Sequence, residues 1–212
     1  MESTTVATTH RLRNYYRFWR SNGNADGTEN YVESLEDLGL CRTVEDFWQI
    51  YLSLPKIGTE NAAYYFLFKN NIEPTWEHER NCQGGRVVVT ISRKDLAPYM
   101  WELLLLTTIG EQFDVGNEIC GVSVNMKRNN CIFMVWNKTA TFEQAINKIE
   151  MKLKTIWKAP YTLRFPYKLN RSAVDQVAKP IPQLVQKEET NELLKKQSTN
   201  RFAFLSDDEG EE

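Results

Sequence analysis

Apolar and polar residues alternate along this chain with two periods, and the places where the period changes mark its elements. Three stretches repeat near helical spacing. In "TVEDFWQIYLSL" Val44, Phe47, Trp48, Ile50, Tyr51 and Leu54 recur behind Thr43, which can cap the helix, and that is almost too many apolar residues for one face. In "DLAPYMWELLLLTTIGE" the repeat predicts a stripe of Leu96, Tyr99, Met100, Leu103, Leu106 and Ile109, with Pro98 in the first turn and Gly110 at the end. In "TFEQAINKIEMKLKTIW" it predicts Phe142, Ala145, Ile146, Ile149, Leu153 and Ile156, with a capping box of Thr141 and Gln144 and a charged, solvated outer face.

The remaining apolar segments are short and rich in aromatic and β-branched residues, as strands are. They are "YYRFWR", "AAYYFLFK", "RVVVTIS", "ICGVSVNM", "CIFMVWN", "TLRFPY" and "RFAFL". Short polar links such as "MKRNNC" imply antiparallel neighbours. The expected class is α+β: a single antiparallel sheet with helices on one face. Gly84 and Gly85 read as a hairpin turn, and Trp19, Trp101 and Trp157 as packing within the core or between helix and sheet.

Composition shifts set the boundaries. Residues 1–9 ("MESTTVATT") are small and polar and are expected to be disordered, and Ser21 to Asn30 ("SNGNADGTEN") should be mobile. Residues 10–168 form the core; 169–198, with Pro180, Pro182 and mixed charge, read as an inserted loop, with a short helix near Glu188 to Lys196 left open. Residues 199–205 return to the core and 206–212 are an acidic tail, read as a solvated end.

Charge and cysteine usage then exclude several classes. A formal net charge of -2 argues against a protein that coats nucleic acid by charge alone, though a local basic patch is compatible with it. The cysteines Cys41, Cys82, Cys120 and Cys131 form no CxxC pair and no secretory leader precedes them, which implies reduced thiols in a cytoplasmic protein, with the nucleus left open. No apolar run approaches a membrane span, so a soluble chain without a membrane partner is expected.

Signs of catalysis are sparse. There are two histidines, His10 and His78, and neither sits in a metal-binding pattern, so no metal or cofactor is expected. No GxGxxG, GxxxxGK[ST] or GxSxG occurs. Glu77 and Glu79 would share one side of a strand, as a glycosidase pair could, but surface charge on a loop is the reading adopted. The function these residues support is binding, not enzymatic turnover.

One segment asks for a ligand. In "EPTWEHERNCQGGR" Trp76 stands among Glu73, Glu77 and Glu79 in a stretch that Pro74 keeps out of regular structure, which is no setting for a core tryptophan. An indole can stack on a purine face for roughly 1 to 3 kcal/mol. A carboxylate matches the adjacent N1-H and N2 amino group of guanine, and N7-methylation adds a cation-π contribution to the stack. Trp76 and Glu77 therefore suit a face reader and an edge reader, and Arg86 could meet attached phosphates.

The runs "TVEDFWQIY", "YFLFKNNIEPTWEHERNCQGGR", "WELLLLTTIGEQFD", "ICGVSVNM" and "TNRFAF", in that order, resemble the eukaryotic initiation factor 4E family of mRNA cap-binding proteins. The resemblance runs from about His10 to Lys168 and resumes at Thr199 to Phe204. It implies a curved antiparallel sheet of about eight strands with three α-helices on its convex face. It also implies that Trp76 and Tyr31 are the walls of a guanine sandwich, that Glu77 reads the guanine edge and that Trp136 touches the N7-methyl group. Arg86 and Lys127 would contact the cap phosphates. Ile132 stands where the family has a further lysine, and Arg128 is the nearby cation, although its side chain would have to turn around the strand.

On the opposite face the resemblance implies a patch of His10, Arg11, Val44, Trp48, Glu102, Leu103 and Leu106 that docks a YxxxxLΦ-type helix from an initiation factor 4G-like scaffold or a 4E-binding protein. Leu103 replaces a family glutamate and Arg11 a family proline. Three functions follow for comparison: a translation factor that binds capped mRNA and recruits a scaffold, a cap-binding repressor with altered scaffold binding, and a hydrolase acting on capped ends. The first is favoured, because the third needs a metal-holding acidic cluster.

Overall fold

The structure, a computed structural model, describes residues 9–21, 34–58, 63–158 and 162–170. Its strands are β1 (Arg11–Ser21), β2 (Leu35–Thr43), β3 (Ala63–Lys69), β4 (Gly85–Ile91), β5 (Ile119–Met126), β6 (Cys131–Asn137) and β7 (Tyr167–Leu169), with helices α1 (Val44–Ser53), α2 (Ala97–Ile109) and α3 (Glu143–Ile156). The strands form one curved antiparallel sheet in the order β2-β1-β3-β5-β6-β4-β7, with the helices on its convex face. Seven strands are therefore seen among the described residues. The expected strand at Arg201 to Leu205, residues 1–8, 171–198 and 206–212, nearly all of Ser21 to Asn30 and the short helix near Glu188 lie outside them, while Leu169, expected to open the inserted loop, closes β7 and Asn170 after it is buried.

Alternation within the strands divides the sheet into two apolar faces. Tyr65 and Leu67 of β3, Val122 and Val124 of β5, and Phe133 and Val135 of β6 join the main core with Phe47 of α1, Trp101 and Leu104 of α2, and Ile149 and Leu153 of α3. Burial of each such side chain contributes about 1.5 to 3 kcal/mol. The intervening residues Phe66, Phe68 and Trp136 form a smaller cluster on the concave face, joined by half-buried Trp19, Tyr64 and Trp76.

Several expectations need correction. β2 reads as too polar for a strand, but among the described strands it is the sheet's edge, pairs only with β1 and carries a register shift next to Gly39 (φ 130°). On α2 the buried side is Trp101, Leu104, Leu105 and Thr108, while Leu96 and Tyr99 are exposed and Leu103 and Leu106 half-buried. A run of four leucines is apolar all round, so packing against the sheet, not periodicity, orients that helix. α3 starts one residue later than expected: Phe142 occupies the cap position without a side-chain bond, which leaves Thr141 outside and Gln144 too early for a capping box. By contrast α1 has the full box, between Thr43 and Asp46.

The strand expected at "TLRFPY" begins only at Tyr167, because Pro166 has no N–H to donate; its carbonyl instead accepts from Val88 at 2.9 Å. Gly84 and Gly85 are not a hairpin turn. They lead into β4 where it is pinched between β6 and β7, and a β-carbon on Gly84 would collide with the Asn137 carbonyl, one on Gly85 with Lys168 and Tyr167. Trp101 and Trp157 are core residues, whereas Trp19 is half-buried on the concave face. No described helix is long and apolar enough to cross a membrane.

Candidate functional site

The loop between β3 and β4 carries Trp76 and Glu77, and one buried amide shapes it. Asn81, fully buried, donates through Nδ2 to the carbonyls of Glu73 at 2.8 Å and Thr75 at 2.7 Å, and its own carbonyl accepts from Asn170 Nδ2 at 2.6 Å. The Asn170 N–H donates to Gly84 O at 3.0 Å, which ties the loop to the segment after β7. An Asn side chain has two N–H donors, and here both are spent on fixing the backbone around Trp76. Neither Asn81 nor Asn170 was singled out from the sequence, since an asparagine in a loop carries no sign that it is buried.

Arg86, the second residue of β4, pairs with Trp136 of β6 in the ladder. Its guanidinium lies 5.1 Å from the centre of the Trp76 ring and 4.8 Å from that of Trp136, so one planar cation joins the loop indole to the sheet indole. Trp136 is almost wholly buried. Its Nε1 donates to Ser123 Oγ at 3.0 Å and its ring meets Phe68 edge-on at 5.4 Å. A β-carbon at Gly121, between Phe68 and Trp136 in the ladders, would strike the Phe68 ring. Trp76 is half-buried and Glu77 exposed. The structure thus brings Trp76, Arg86 and Trp136 together at one end of the concave face, with the exposed Glu77 next in sequence to Trp76.

Lys127 and Arg128 are elsewhere. They lie in the turn between β5 and β6, where Lys127 N–H donates to Asn130 O at 2.9 Å, at the opposite end of β6 from Trp136 and roughly 17 Å away along the strand. Ile132, Met134 and Trp136 line the same face of β6 between these two ends. Ile132 is flanked by Asn125 and Thr90, so on these three strands no charge stands midway among the described residues. Tyr31 lies outside the described residues.

The helix side carries the remaining residues singled out from the sequence. His10 donates its N–H to Glu45 Oε2 at 3.0 Å, its Nδ1 lies 2.7 Å from Glu45 Oε1, and its carbonyl accepts from Val44 at 2.8 Å. These bonds to His10 hold the Glu45 carboxyl down at about 2. Arg11 pairs with Thr43 in the ladder, which places His10, Arg11 and Val44 at the start of α1. Trp48 is half-buried, edge-on to Phe47 at 5.2 Å and to Tyr51 at 5.7 Å. Tyr51 donates its hydroxyl to Glu102 Oε2 at 3.1 Å and so links α1 to α2, where Leu103 and Leu106 are half-buried. Among the described residues no His, Cys, Asp and Glu side chains are grouped to hold a metal ion.

A helix-backed antiparallel sheet with an indole and a carboxylate on a clamped loop, and an arginine between two indoles, is the build of a binding module for a flat ligand carrying negative charge. The sequence profile of the eukaryotic initiation factor 4E family matches residues 11–182, and the chain belongs to that family. Eukaryotic translation initiation factor 4E of Dictyostelium discoideum is 34% identical over 158 residues, 74% of this chain, which spans 63% of that protein's length. Eukaryotic translation initiation factor 4E-4 of Caenorhabditis elegans is 32% identical over 164 residues, 75% of this chain and 76% of the relative. Among solved structures, Caenorhabditis elegans eIF4E-3 in complex with the 4E-binding protein Mextli and a cap analog matches with TM-score 0.71 and 34% identity, covering 82% of this chain and 98% of that one. Ascaris suum eIF4E-3 with an m2,2,7G cap matches with TM-score 0.71 and 28% identity, over 78% of this chain and 93% of that one.

Proposed function

We propose that this chain binds the 7-methylguanosine 5' cap of mRNA and recruits a scaffold partner for translation initiation. The observation that carries the reading is the Asn81-clamped loop, which presents Trp76 and Glu77 next to Arg86 and Trp136. In this reading Trp76 and Tyr31 sandwich the base, Glu77 accepts from its N1-H and N2 amino group, Trp136 approaches the N7-methyl group, and Arg86, Lys127 and Arg128 face phosphates. The helix-side residues His10, Arg11, Val44, Trp48, Glu102, Leu103 and Leu106 dock a YxxxxLΦ-type helix of a 4G-like scaffold or a 4E-binding protein. Its similarity to eIF4E-3 complexed with a cap analog and Mextli supports both halves.

The protein acts as a binder without a cofactor, not as an enzyme, and its place of action is the cytoplasm. Its working unit is 10–168, continued through Leu169 of β7 and the buried Asn170, together with 199–205, with the rest of 169–198 as an insertion. A second role, as a cap-binding repressor, is favoured by one observation: the carboxylate of α2 here is Glu102, engaged by Tyr51, and its half-buried neighbour Leu103 has no acceptor to offer.

Tryptophan fluorescence under titration with 7-methyl-GTP, beside GTP, tests the cap reading. Quenching by the methylated nucleotide alone, abolished by Trp76→Ala and by Glu77→Ala, is the expected result. Equal response to both nucleotides, or none, removes the cap reading and leaves a protein-docking module.

A further inference from the structure

The end of the sheet farthest from Trp136 carries a cation that the cap reading does not use. Lys94 opens the single 3-10 turn (Lys94–Leu96) that follows β4. Its backbone is tightly placed: its N–H donates to Ser92 O at 3.1 Å, and its carbonyl lies 3.0 Å from where a β-carbon on Gly58 (φ 94°) would sit. From that base the ammonium donates to the carbonyl of Arg128 at 3.3 Å, across the tip of the β5–β6 hairpin. An ammonium has three N–H donors, so this bond positions Lys94 without using up its capacity. The neighbouring acid, Asp95, is held by Arg93 in a bidentate pair at 2.9 and 2.6 Å and so balances Arg93. Lys94 therefore reaches the turn that carries Lys127 and Arg128.

The face of β6 leads to this cluster. From the Arg86–Trp136 pair, Met134 and Ile132 form an uncharged track flanked by Val88, Ser123, Thr90 and Asn125, and the cations resume only at the hairpin tip. A polyanion that starts at Arg86 and runs along β6 meets no positive charge at Ile132, but three at the end. We propose that Lys94, braced on the Arg128 carbonyl, completes with Lys127 and Arg128 a clamp for the phosphodiester backbone of the first nucleotides after the cap. The clamp grips single-stranded RNA without reading its bases, since backbone contacts fix register and affinity but carry no sequence information. This inference rests on the cap-binding reading of the same face.

The test compares 7-methyl-GTP with a capped five-nucleotide RNA, each titrated from 50 to about 250 mM salt. The intact chain should bind the capped RNA more tightly and with a steeper salt dependence. Lys94→Ala and Lys94→Met, the second of which keeps an unbranched apolar stem, should weaken capped RNA about threefold to tenfold and reduce the log-log salt slope by about 0.7, the value for one contact to a single strand. Binding of 7-methyl-GTP should stay within about twofold in both. Lys148→Ala, the same charge change on α3, should leave both ligands unaffected. A salt slope for capped RNA that survives both Lys94 variants overturns the clamp, as does an equal loss for the two ligands. If the intact chain binds 7-methyl-GTP but gains nothing from the RNA, only the clamp fails; if it binds neither, the cap reading fails with it.

Discussion

Arg86 and Trp136 face each other across the β4–β6 ladder, with the guanidinium 4.8 Å from the centre of the indole ring. Trp76 flanks the same cation at 5.1 Å, so Arg86 sets the spacing between a loop residue and a strand residue. A planar guanidinium can do this; an ammonium, a compact and strongly hydrated charge, cannot stack in the same way. Arg86→Lys should therefore lower affinity for 7-methyl-GTP about tenfold although the charge is kept, and Arg86→Ala about a hundredfold. Calorimetric titration of the two variants checks this, and a lysine variant with unchanged affinity would show that charge alone is used.

Asn81 concerns the loop rather than the ligand. Its two donated bonds end on the carbonyls of Glu73 and Thr75, and removing them leaves those acceptors inside a partly buried turn. Asn81→Ala should cost about 2 to 3 kcal/mol of stability in urea unfolding, and should weaken cap binding by more than any loss of folded protein accounts for. Asn81→Asp, which keeps the size but loses both donors, should do the same. Full cap affinity in a stably folded Asn81→Ala chain would refute the clamp on Trp76.

The contrast between these residues shows what could be read from the sequence. Trp76 and Glu77 were legible because an indole among carboxylates beside a proline violates the usual burial rule. The strands β3, β5 and β6 were legible from alternation, which places Phe68 and Trp136 on one face once the sheet is assumed. Asn81 was not, because a buried and an exposed asparagine look alike until the fold closes over one of them. The α2 stripe and the β2 edge failed for related reasons: Leu103 to Leu106 are apolar in every direction, and an edge strand with one neighbour tolerates Glu36 and Asp37 on its surface. Gly84 looked like a turn because glycine serves both turns and close backbone packing, and only the Asn137 carbonyl beside it decides between them.

Ile132 lies on the track between the two charged ends of the concave face, between Thr90 and Asn125 and half-buried. A lysine there could lay its stem along Met134 and extend its head toward the phosphates. Ile132→Lys should tighten 7-methyl-GTP about threefold to tenfold and steepen the salt dependence. No gain in fluorescence titration would mean that the phosphates do not pass this residue.

Acid should open the clasp at the start of α1. The Glu45 carboxyl is held at about 2, well below its ordinary 4.5, chiefly by the side-chain hydrogen bond with His10. Because the folded value is depressed, the contribution is fully present above about 4.5 and is lost as pH falls through about 2. The pair is exposed, so salt should shrink the shift. Carboxyl chemical shifts of Glu45 followed by NMR should titrate well below the ordinary range in the intact chain and return toward it in His10→Ala. A normal titration in the intact chain removes the clasp.

In the proposed docking role, partner choice on the helix side turns on two adjacent residues of α2. Glu102 spends one carboxylate oxygen on the Tyr51 hydroxyl at 3.1 Å and so braces α1 against α2. Leu103, half-buried beside it, offers an incoming helix an apolar contact but no acceptor. Trp48, stacked edge-on against Phe47 and Tyr51, is the rigid aromatic of the patch, and residues of that kind carry most of the energy of an interface. Against a YxxxxLΦ peptide from a 4G-like scaffold, Trp48→Ala should lose at least about 2 kcal/mol, roughly thirtyfold in affinity. Leu103→Glu should gain about fivefold, because in the proposed docking role it offers the incoming helix an acceptor that leucine lacks. Fluorescence anisotropy with the labelled peptide separates the outcomes. Loss in Trp48→Ala with gain in Leu103→Glu places a scaffold helix on this patch and identifies Leu103 as what weakens it. Loss in both means that the patch is tuned to an apolar partner, which favours the repressor role, and no loss in Trp48→Ala rules out this face as the docking site.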